Sequence, residues 1–304
     1  MKIQLSHKYK DIISLENLLL AWQEFIVGKK NKPDVQLFTR SLMDNIISLH
    51  QDLANFTYRH GGYESFFVND PKRRHIHKAS VRDRLLHHAV YRILYPFFDQ
   101  TFIADSFSCR LNKGTHKAIN RFRVLANKVS YNNTATCWVL KGDIKKFFAS
   151  IDHDILLNIL GRYIPDKEVM GLLENIVESF SSGVGLPLGN LTSQLFANVY
   201  LNVFDRWVKH RLVVETRHAS SLRVHYIRYA DDFVILSRDK KHLLSLIPKI
   251  QHFLADRLKL TLHPTKIILK TLSSGADFLG WVNFPRHRVL RRTTRRRMFN
   301  RLRD

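Results

Sequence analysis

Three aspartates, Asp143, Asp231 and Asp232, stand out in a chain of 304 residues with a formal net charge of +23. Asp231 and Asp232 are adjacent in "HYIRYADDFVIL", between two runs of β-forming apolar residues, and Asp143 closes the apolar run of "CWVLKGDIKKFF". A hairpin in the first stretch and a buried strand in the second can bring all three carboxylates to one sheet surface. Like charges held that close repel and raise a pKa unless a cation neutralises them. Two divalent ions about 3.5–4 Å apart, bridged by carboxylates, are a standard arrangement for phosphoryl transfer between nucleotides. Mg²⁺ suits this role because it takes oxygen ligands, commonly one or two carboxylates completed by substrate phosphates. The plainer alternative is a hairpin tip with two solvated acids, since Asp is a good turn former.

The rest of the composition bears on that choice. Lys and Arg number 49 against 26 Asp and Glu, and at a sequence pI of about 10.2 the surrounding field attracts polyanions. Nucleic acid is the first candidate partner and an anionic membrane surface the second. No apolar run approaches twenty residues, and "SLENLLLAWQEFIVGKK" is interrupted by charges at helical spacing, which disfavours the membrane. The start "MKIQLSHKYK" has neither an apolar core nor a small-residue cleavage site, so no signal peptide is expected. Two cysteines, Cys109 and Cys137, without a CxxC, suggest reduced thiols in the cytoplasm and argue against structural zinc. The 16 His are scattered among arginines and are read as packing or RNA contacts rather than metal ligands.

The acids need elements to position them. "SLENLLLAWQEFIVG" and "FTRSLMDNIISLHQDLANFTY" have apolar spacing near 3.6 and read as helices. "GGYESFFVNDPKRRHIHKAS" reads as short strands around an Asp-Pro turn, and "VRDRLLHHAVYRILYPFFDQTF" returns to helix. The helix "HDILLNILGRYI" follows Asp143, with Asp152 or Asp154 as its cap. The Gly/Pro loop of "SSGVGLPLGNLTSQ" runs into a long amphipathic helix through "VKHRL"; the hairpin, a helix "KHLLSLIPKIQHFLADRLKL", a small β-rich piece "ADFLGWVNFPRHRVL" and an arginine-dense helical tail complete the chain. Without repeats or long linkers, these describe one continuous α+β structure.

The motifs around the acids have a familiar order. "KGDIKKFFASIDH", "GLPLGNLTSQ" and "YADDFVIL" resemble three central palm motifs of reverse transcriptases. "PKRRHIHKASVRDRLLHHAVYRIL" and "ADSFSCRLNKGTHKAINRF" resemble the two fingers motifs, "LTLHPTKIILK" the next palm motif, and "DFLGWVNF" the hairpin that grips the primer end. The likeness extends from about Tyr63 to Phe284. It implies a right-hand polymerase fold of α+β class: an N-terminal helical extension over residues 1–60, fingers over 61–135, a palm over 136–284 with an antiparallel sheet backed by helices, a primer-grip-like hairpin near 276–290, and a short or truncated helical thumb beginning at 285. It implies two Mg²⁺ (with Mn²⁺ as a substitute) held by Asp143, Asp231 and the backbone carbonyl of Ile144, with Asp232 supporting the site as a third acid.

The same resemblance assigns further roles. Arg74 matches the arginine that binds the incoming triphosphate, with Arg73 and Lys72 close enough that the register can shift by one. Phe148 matches the steric gate that excludes the ribose 2′-hydroxyl, so the product would be DNA; strand alternation would put Phe147 and Phe148 on opposite faces. Leu188 and Gly189 belong to the dNTP-contacting loop, and Lys266 stands where a cation near the leaving pyrophosphate is common. Arg110 matches a second fingers arginine that touches template or stabilises its loop. Lys113, Gln194, Gly280 and Trp281 are assigned to nucleic acid with it, and the basic surface of Arg291, Arg292, Arg295 and Arg296 is expected to contact RNA or a partner protein.

The loop also points to a subfamily. Many reverse transcriptases carry a Gln before the glycine and Ser-Pro after it, whereas this chain has Leu188 and Ser193-Gln194. That pattern, with "SQLFANVYLN", "HYIRYADDF" and "FPRHRVLRRTTRRR", resembles the reverse transcriptases of diversity-generating retroelements of bacteria, archaea and phages. These copy a template-repeat RNA with errors opposite adenine. The resemblance implies template RNA, a DNA or cDNA primer, dNTPs and a small helical oligomeric accessory protein as partners. A bacterial defence-associated reverse transcriptase with a related palm is the nearest rival, and a non-catalytic RNA-binding protein with a polymerase fold is the rival of another class. The short stretch after the primer-grip-like segment leaves little room for a thumb, which implies low processivity or reliance on a partner.

Overall fold

The computed structural model describes residues 3–69, 73–181, 183–212 and 224–303. Lys72 therefore lies outside the described residues. In chain order the described elements are α1 (Tyr9–Ile13), α2 (Leu15–Phe25), α3 (Pro33–Arg40), α4 (Leu42–Ala54), β1 (Tyr63–Val68), β2 (Arg74–Ala79), α5 (Val81–Thr101), α6 (Thr115–Val129), β3 (Trp138–Asp143), α7 (His153–Gly161), α8 (Lys167–Glu178) and α9 (Leu191–Trp207). After it come β4 (His225–Tyr229), β5 (Asp232–Ser237), α10 (Lys240–Leu258), β6 (Ile268–Thr271), β7 (Ala276–Phe278), β8 (Trp281–Asn283), β9 (Arg288–Leu290) and α11 (Arg292–Arg301). The chain divides into two compact units, one of residues 1–101 and 148–200, the other of residues 102–147 and 201–304.

In the first unit, helical periodicity sets the packing. Leu18, Ala21, Trp22 and Phe25 of α2 recur at i, i+3, i+4 and i+7 and are all buried. Ser14 caps this helix by accepting from the Asn17 amide at 3.2 Å. The Asn17 side chain in turn donates to the Ala89 carbonyl of α5 at 3.2 Å. The single helix expected across "FTRSLMDNIISLHQ" is broken at Ser41, whose ψ of 47° departs from helical geometry, giving α3 and α4. Asp152 rather than Asp154 caps α7, accepting from the Ile155 amide at 3.0 Å. β1 and β2 form an antiparallel hairpin with Phe67 opposite His75 and Ser65 opposite His77.

The second unit is built on a four-stranded sheet in the order β4-β5-β3-β6, with every neighbouring pair antiparallel. α6 covers one face, where Phe122, Leu125 and Val129 meet Val139, Val234 and Leu236 in one buried cluster. Alternation sends Phe233 to the other face, where its ring meets Phe204 edge-on at 5.3 Å. Gly142 is needed opposite Phe233, because a methyl group there would run into the ring. β7, β8 and β9 form a separate three-stranded meander. Among the described residues no helix is long and apolar enough to cross a membrane.

Candidate active site

The three sequence-predicted acids all fall in the second unit. β3 and β5 pair so that Asp143 stands directly opposite Asp232, and Tyr229 of β4 pairs with the same Asp232. Only Ala230 and Asp231 lie in the turn, so the register fixes Asp231 one residue beyond the last strand pair. The Asp143 carbonyl accepts from the His263 amide at 2.7 Å, which draws the segment bearing Lys266 alongside; the Lys266 ammonium donates to Asp143 Oδ2. Lys141, two residues before Asp143 and therefore on the same face of β3, lies 3.3 Å from Asp232 Oδ1. Ile144 is buried and bridges to Leu262.

The electrostatics follow from this crowding. Burial, then the neighbouring charge of Asp143 and to a lesser extent Asp232, pushes the Asp231 carboxyl up to about 6. Asp232 is also raised, chiefly by burial, with Lys141 opposing the shift. Among the described residues no three His, Cys, Asp or Glu side chains stand together as a ready cation cage. The donor set nonetheless fits Mg²⁺, which prefers oxygen ligands and completes its shell with water and substrate phosphate rather than demanding an all-protein cage. Two lysines now supply the counter-charge that such ions would replace.

A buried network behind the turn is absent from the sequence-based site. Arg228, 1% exposed, donates from Nε and Nη2 to the two carboxylate oxygens of Asp205 on α9 at 2.7 and 2.6 Å. The Tyr226 hydroxyl donates to the same Asp205 at 2.6 Å. An arginine inside "HYIRYADDF" was the available signal, because a buried guanidinium requires a partner.

Of the residues assigned to the incoming nucleotide, Arg73, Arg74, Phe148, Leu188 and Gly189 belong to the first unit, while Lys266 belongs to the second. Arg73 and Arg74 are exposed at the start of β2, with Arg73 stacked over Phe67 at 4.1 Å. The free edge of β2 holds the loop: the His77 amide donates to the Leu188 carbonyl at 2.9 Å. Gly189 has φ +133°, and a Cβ there would lie 3.0 Å from the His77 carbonyl oxygen. Farther along, the Asn190 side-chain Nδ2 donates to the Tyr63 hydroxyl at 3.4 Å, and Thr192 Oγ1 lies 2.6 Å from His87 Nδ1. Gln194 is half-buried on α9. Phe147 and Phe148 sit on a short 3-10 turn rather than a strand, with Phe147 buried and Phe148 half-buried.

The residues assigned to nucleic acid are placed unevenly. Arg110 donates to the carbonyls of Ile103 and Ser106 at 2.8 and 2.9 Å, and Lys113 donates to that of Ala104 at 2.8 Å; both hold their own loop together. Trp281 carries the Arg288 guanidinium over its ring at 5.2 Å, and the Gly280 carbonyl accepts from the Arg291 amide at 2.9 Å. Arg291 also pairs with Asp277 at 3.2 Å. Arg292, Arg295 and Arg296 are exposed on α11, a helix without a buried residue.

Known proteins share this construction. Telomerase from Candida tropicalis, truncated from its C-terminal domain, superposes with a TM-score of 0.56 at 13% identity over 76% of this chain and 55% of that one. The fold is thus that of the right-hand polymerases. The family model for reverse transcriptase (RNA-dependent DNA polymerase) matches residues 69–282, and the chain belongs to that family. Escherichia coli protein YkfC is 26% identical over 74% of this chain and 65% of its own length. The group II intron-encoded protein LtrA of Lactococcus lactis is 23% identical over 78% of this chain and 49% of its own length. The match thus spans less than two-thirds of either relative.

Proposed function

We propose that the chain is an RNA-directed DNA polymerase of the diversity-generating retroelement type, copying a template-repeat RNA into cDNA with errors concentrated opposite adenine. What supports the polymerase reading is the register that sets Asp143 against Asp232 with Asp231 in the adjoining turn. What supports the subtype is Leu188, with Ser193 and Gln194, in the loop held by His77. In domain terms the reading makes residues 1–60 a helical extension, 61–135 fingers, 136–284 palm and 285 onward the start of a thumb.

The reaction is attack of a primer 3′-hydroxyl oxygen on the α-phosphorus of a dNTP, with pyrophosphate leaving. Asp143, Asp231 and Asp232, with the Ile144 carbonyl, are the groups that would hold two Mg²⁺. Bound there, the ions would neutralise charge on the phosphates and favour the deprotonated hydroxyl. The chain's own side chains do the remainder. Arg74, with Arg73, binds the triphosphate through a planar guanidinium that can meet two phosphate oxygens at once. Lys266 neutralises the charge that develops on the leaving pyrophosphate. The Phe148 ring excludes a 2′-hydroxyl, and Leu188 and Gly189 border the sugar of the incoming nucleotide. Exposed Arg292, Arg295 and Arg296 contact template RNA or a small helical accessory protein.

Extension of an annealed DNA primer on a defined RNA, with Mg²⁺ and dNTPs, tests this reading when the cDNA is then sequenced. Metal-dependent cDNA that disappears in Asp231→Asn, with substitutions concentrated opposite adenine, is the expected result. Accurate cDNA would keep the polymerase and favour a defence-associated enzyme. Absence of product with cognate RNA and accessory protein present would sink the polymerase reading.

A further inference from the structure

A buried guanidinium–carboxylate pair is costly to desolvate, and apolar side chains of similar volume often fold as well or better. The Arg228–Asp205 pair therefore needs a reason beyond stability, and its remaining hydrogen bonds supply one. Arg228 Nη1 donates to the Ala230 carbonyl at 2.9 Å, and Nη2 donates to Ser106 Oγ at 3.0 Å. Backbone bonds hold Arg228 from the other side: its amide donates to the Asp105 carbonyl at 2.9 Å, and its carbonyl accepts from Phe107 at 3.1 Å. The base of the side chain is thus fixed by the 105–107 segment, its head by α9, and the remaining nitrogen grips the turn.

The gripped atom matters because the Ala230 carbonyl belongs to the peptide unit that continues into Asp231. Ala230 has φ +52°, a left-handed conformation an alanine adopts only when its surroundings impose it. Rotation of that peptide unit changes ψ of Ala230 and φ of Asp231, and would carry the Asp231 backbone with it. A hydrogen bond to the carbonyl opposes this rotation, and a guanidinium anchored on both oxygens of a carboxylate cannot follow it.

We propose that Arg228 is a positioning residue: anchored on Asp205, it clamps the Ala230–Asp231 peptide and so fixes where the Asp231 carboxylate stands. The inference deepens the polymerase reading and rests on Asp231 being an acid of that site, although the clamp itself can be observed without turnover. Two variants separate positioning from folding. Arg228→Met combined with Asp205→Leu and Tyr226→Phe replaces the buried polar group by apolar side chains and leaves no unpaired charge. Arg228→Lys keeps the charge beside Asp205 but offers one ammonium where a planar fork served several acceptors.

The first measurement is the ¹³C-methyl resonance of Ala230 in alanine-labelled full-length protein, which reads the turn whether or not the protein extends primers. The second is primer extension, separated into kcat and the KM for dNTP. The expected result in either folded variant is a displaced or exchange-broadened Ala230 methyl, and a kcat about 100-fold lower at little-changed KM, since misplacement by about 1 Å costs a factor of that order. An Ala230 methyl that stays where it is in Arg228→Lys, or a folded triple variant with kcat within about threefold of wild type, would overturn the clamp. Wild-type protein that extends no primer would count against the polymerase reading, while the methyl resonance would still decide the clamp.

Discussion

Asp143 and Asp232 are the last cross-strand pair of β3 and β5, and each carboxylate is met by a different lysine, Lys266 for Asp143 and Lys141 for Asp232. Antiparallel pairing alone would place two negative charges face to face, which destabilises a sheet. The lysines offset that repulsion in the free protein while leaving carboxylate oxygens that can bind a cation. Stability and function are therefore opposed at this pair, and the opposition can be measured.

Asp231 gives the most direct test. Its carboxyl is pushed up to about 6 in the folded chain, whereas an unfolded aspartate titrates near 3.9. Between those values the native state binds more protons than the unfolded state, so this group's contribution to stability falls as pH rises through the window. At pH 7 the charged carboxylate is a liability, and Asp231→Asn should raise the thermal midpoint of the metal-free protein by a few degrees. Added Mg²⁺ should raise the wild-type midpoint by mass action and move the variant much less. Thermal denaturation at pH 4 and pH 7, with and without Mg²⁺, checks both signs; an Asp231→Asn protein less stable than wild type at pH 7 would contradict this account.

Lys266 lowers the pKa of Asp231 as well as pairing with Asp143. Lys266→Met should therefore shift the acid limb of a pH–rate profile for primer extension to higher pH. The side chain is 44% exposed, so the substitution should leave folding almost unchanged. Loss of a cation from the leaving group adds a fall in kcat of tenfold or more. A lower rate without movement of the acid limb would place Lys266 at the pyrophosphate alone.

How much of this was readable from residues alone differs between elements. The apolar run to Asp143 and the "YADD" turn pointed to a strand and a hairpin that can bring the acids to one sheet surface, whereas the register that sets Asp143 opposite Asp232 is visible only in the fold. α6 and α8 were not anticipated, although α8 has buried Val169, Leu172, Leu173 and Ile176 at helical spacing and an Asp166 cap. α6 mixes five cations or His with its apolar stripe, which obscures the face it buries. Phe148 was placed on a strand because the apolar pattern runs on past Asp143, but the chain turns at Lys146, with φ +46°, and enters a 3-10 turn. Asp205 could not be matched to Arg228 by spacing, since helix and strand meet only through the tertiary fold.

Gly142 tests how tightly the sheet behind the acids is filled. Phe233 lies across it from the neighbouring strand, and an added methyl group would occupy the space of the ring. Gly142→Ala should destabilise by about 1–3 kcal/mol or more, the range for overpacked cores, although Ala is otherwise the better strand residue. Chemical denaturation measures this, and adding Phe233→Leu should recover part of the loss.

The exposed arginines of α11 make a separate, salt-dependent prediction. Arg292, Arg295 and Arg296 are exposed, and α11 buries none of its residues, so a triple Gln substitution should leave the thermal midpoint nearly unchanged. If they meet phosphates, RNA affinity falls and the slope of log affinity against log salt drops by up to about 0.7 for each lost contact with a single strand. Filter binding over a salt series reads the slope directly. An unchanged slope would assign the helix to a protein partner.

Leu188 allows the subtype to be tested apart from the polymerase. Its backbone carbonyl is held by the His77 amide at 2.9 Å, a bond that does not depend on the side chain, so Leu188→Gln should keep the loop in place. What changes is the half-buried side chain. Leucine offers only apolar contact, whereas a glutamine can hydrogen-bond a nucleotide sugar, and polar positioning discriminates between substrates far better than apolar contact does. Leu188→Gln should therefore lower the misincorporation rate on a defined RNA, by about tenfold if one such hydrogen bond is gained at roughly 1.4 kcal/mol. Gly189→Ala is the matching control, because a Cβ 3.0 Å from the His77 carbonyl oxygen forces the loop to move; its effect should appear in the KM for dNTP. An error rate at template adenines that is the same in Leu188→Gln and wild type would remove Leu188 as the source of infidelity and leave the loop's role to its backbone.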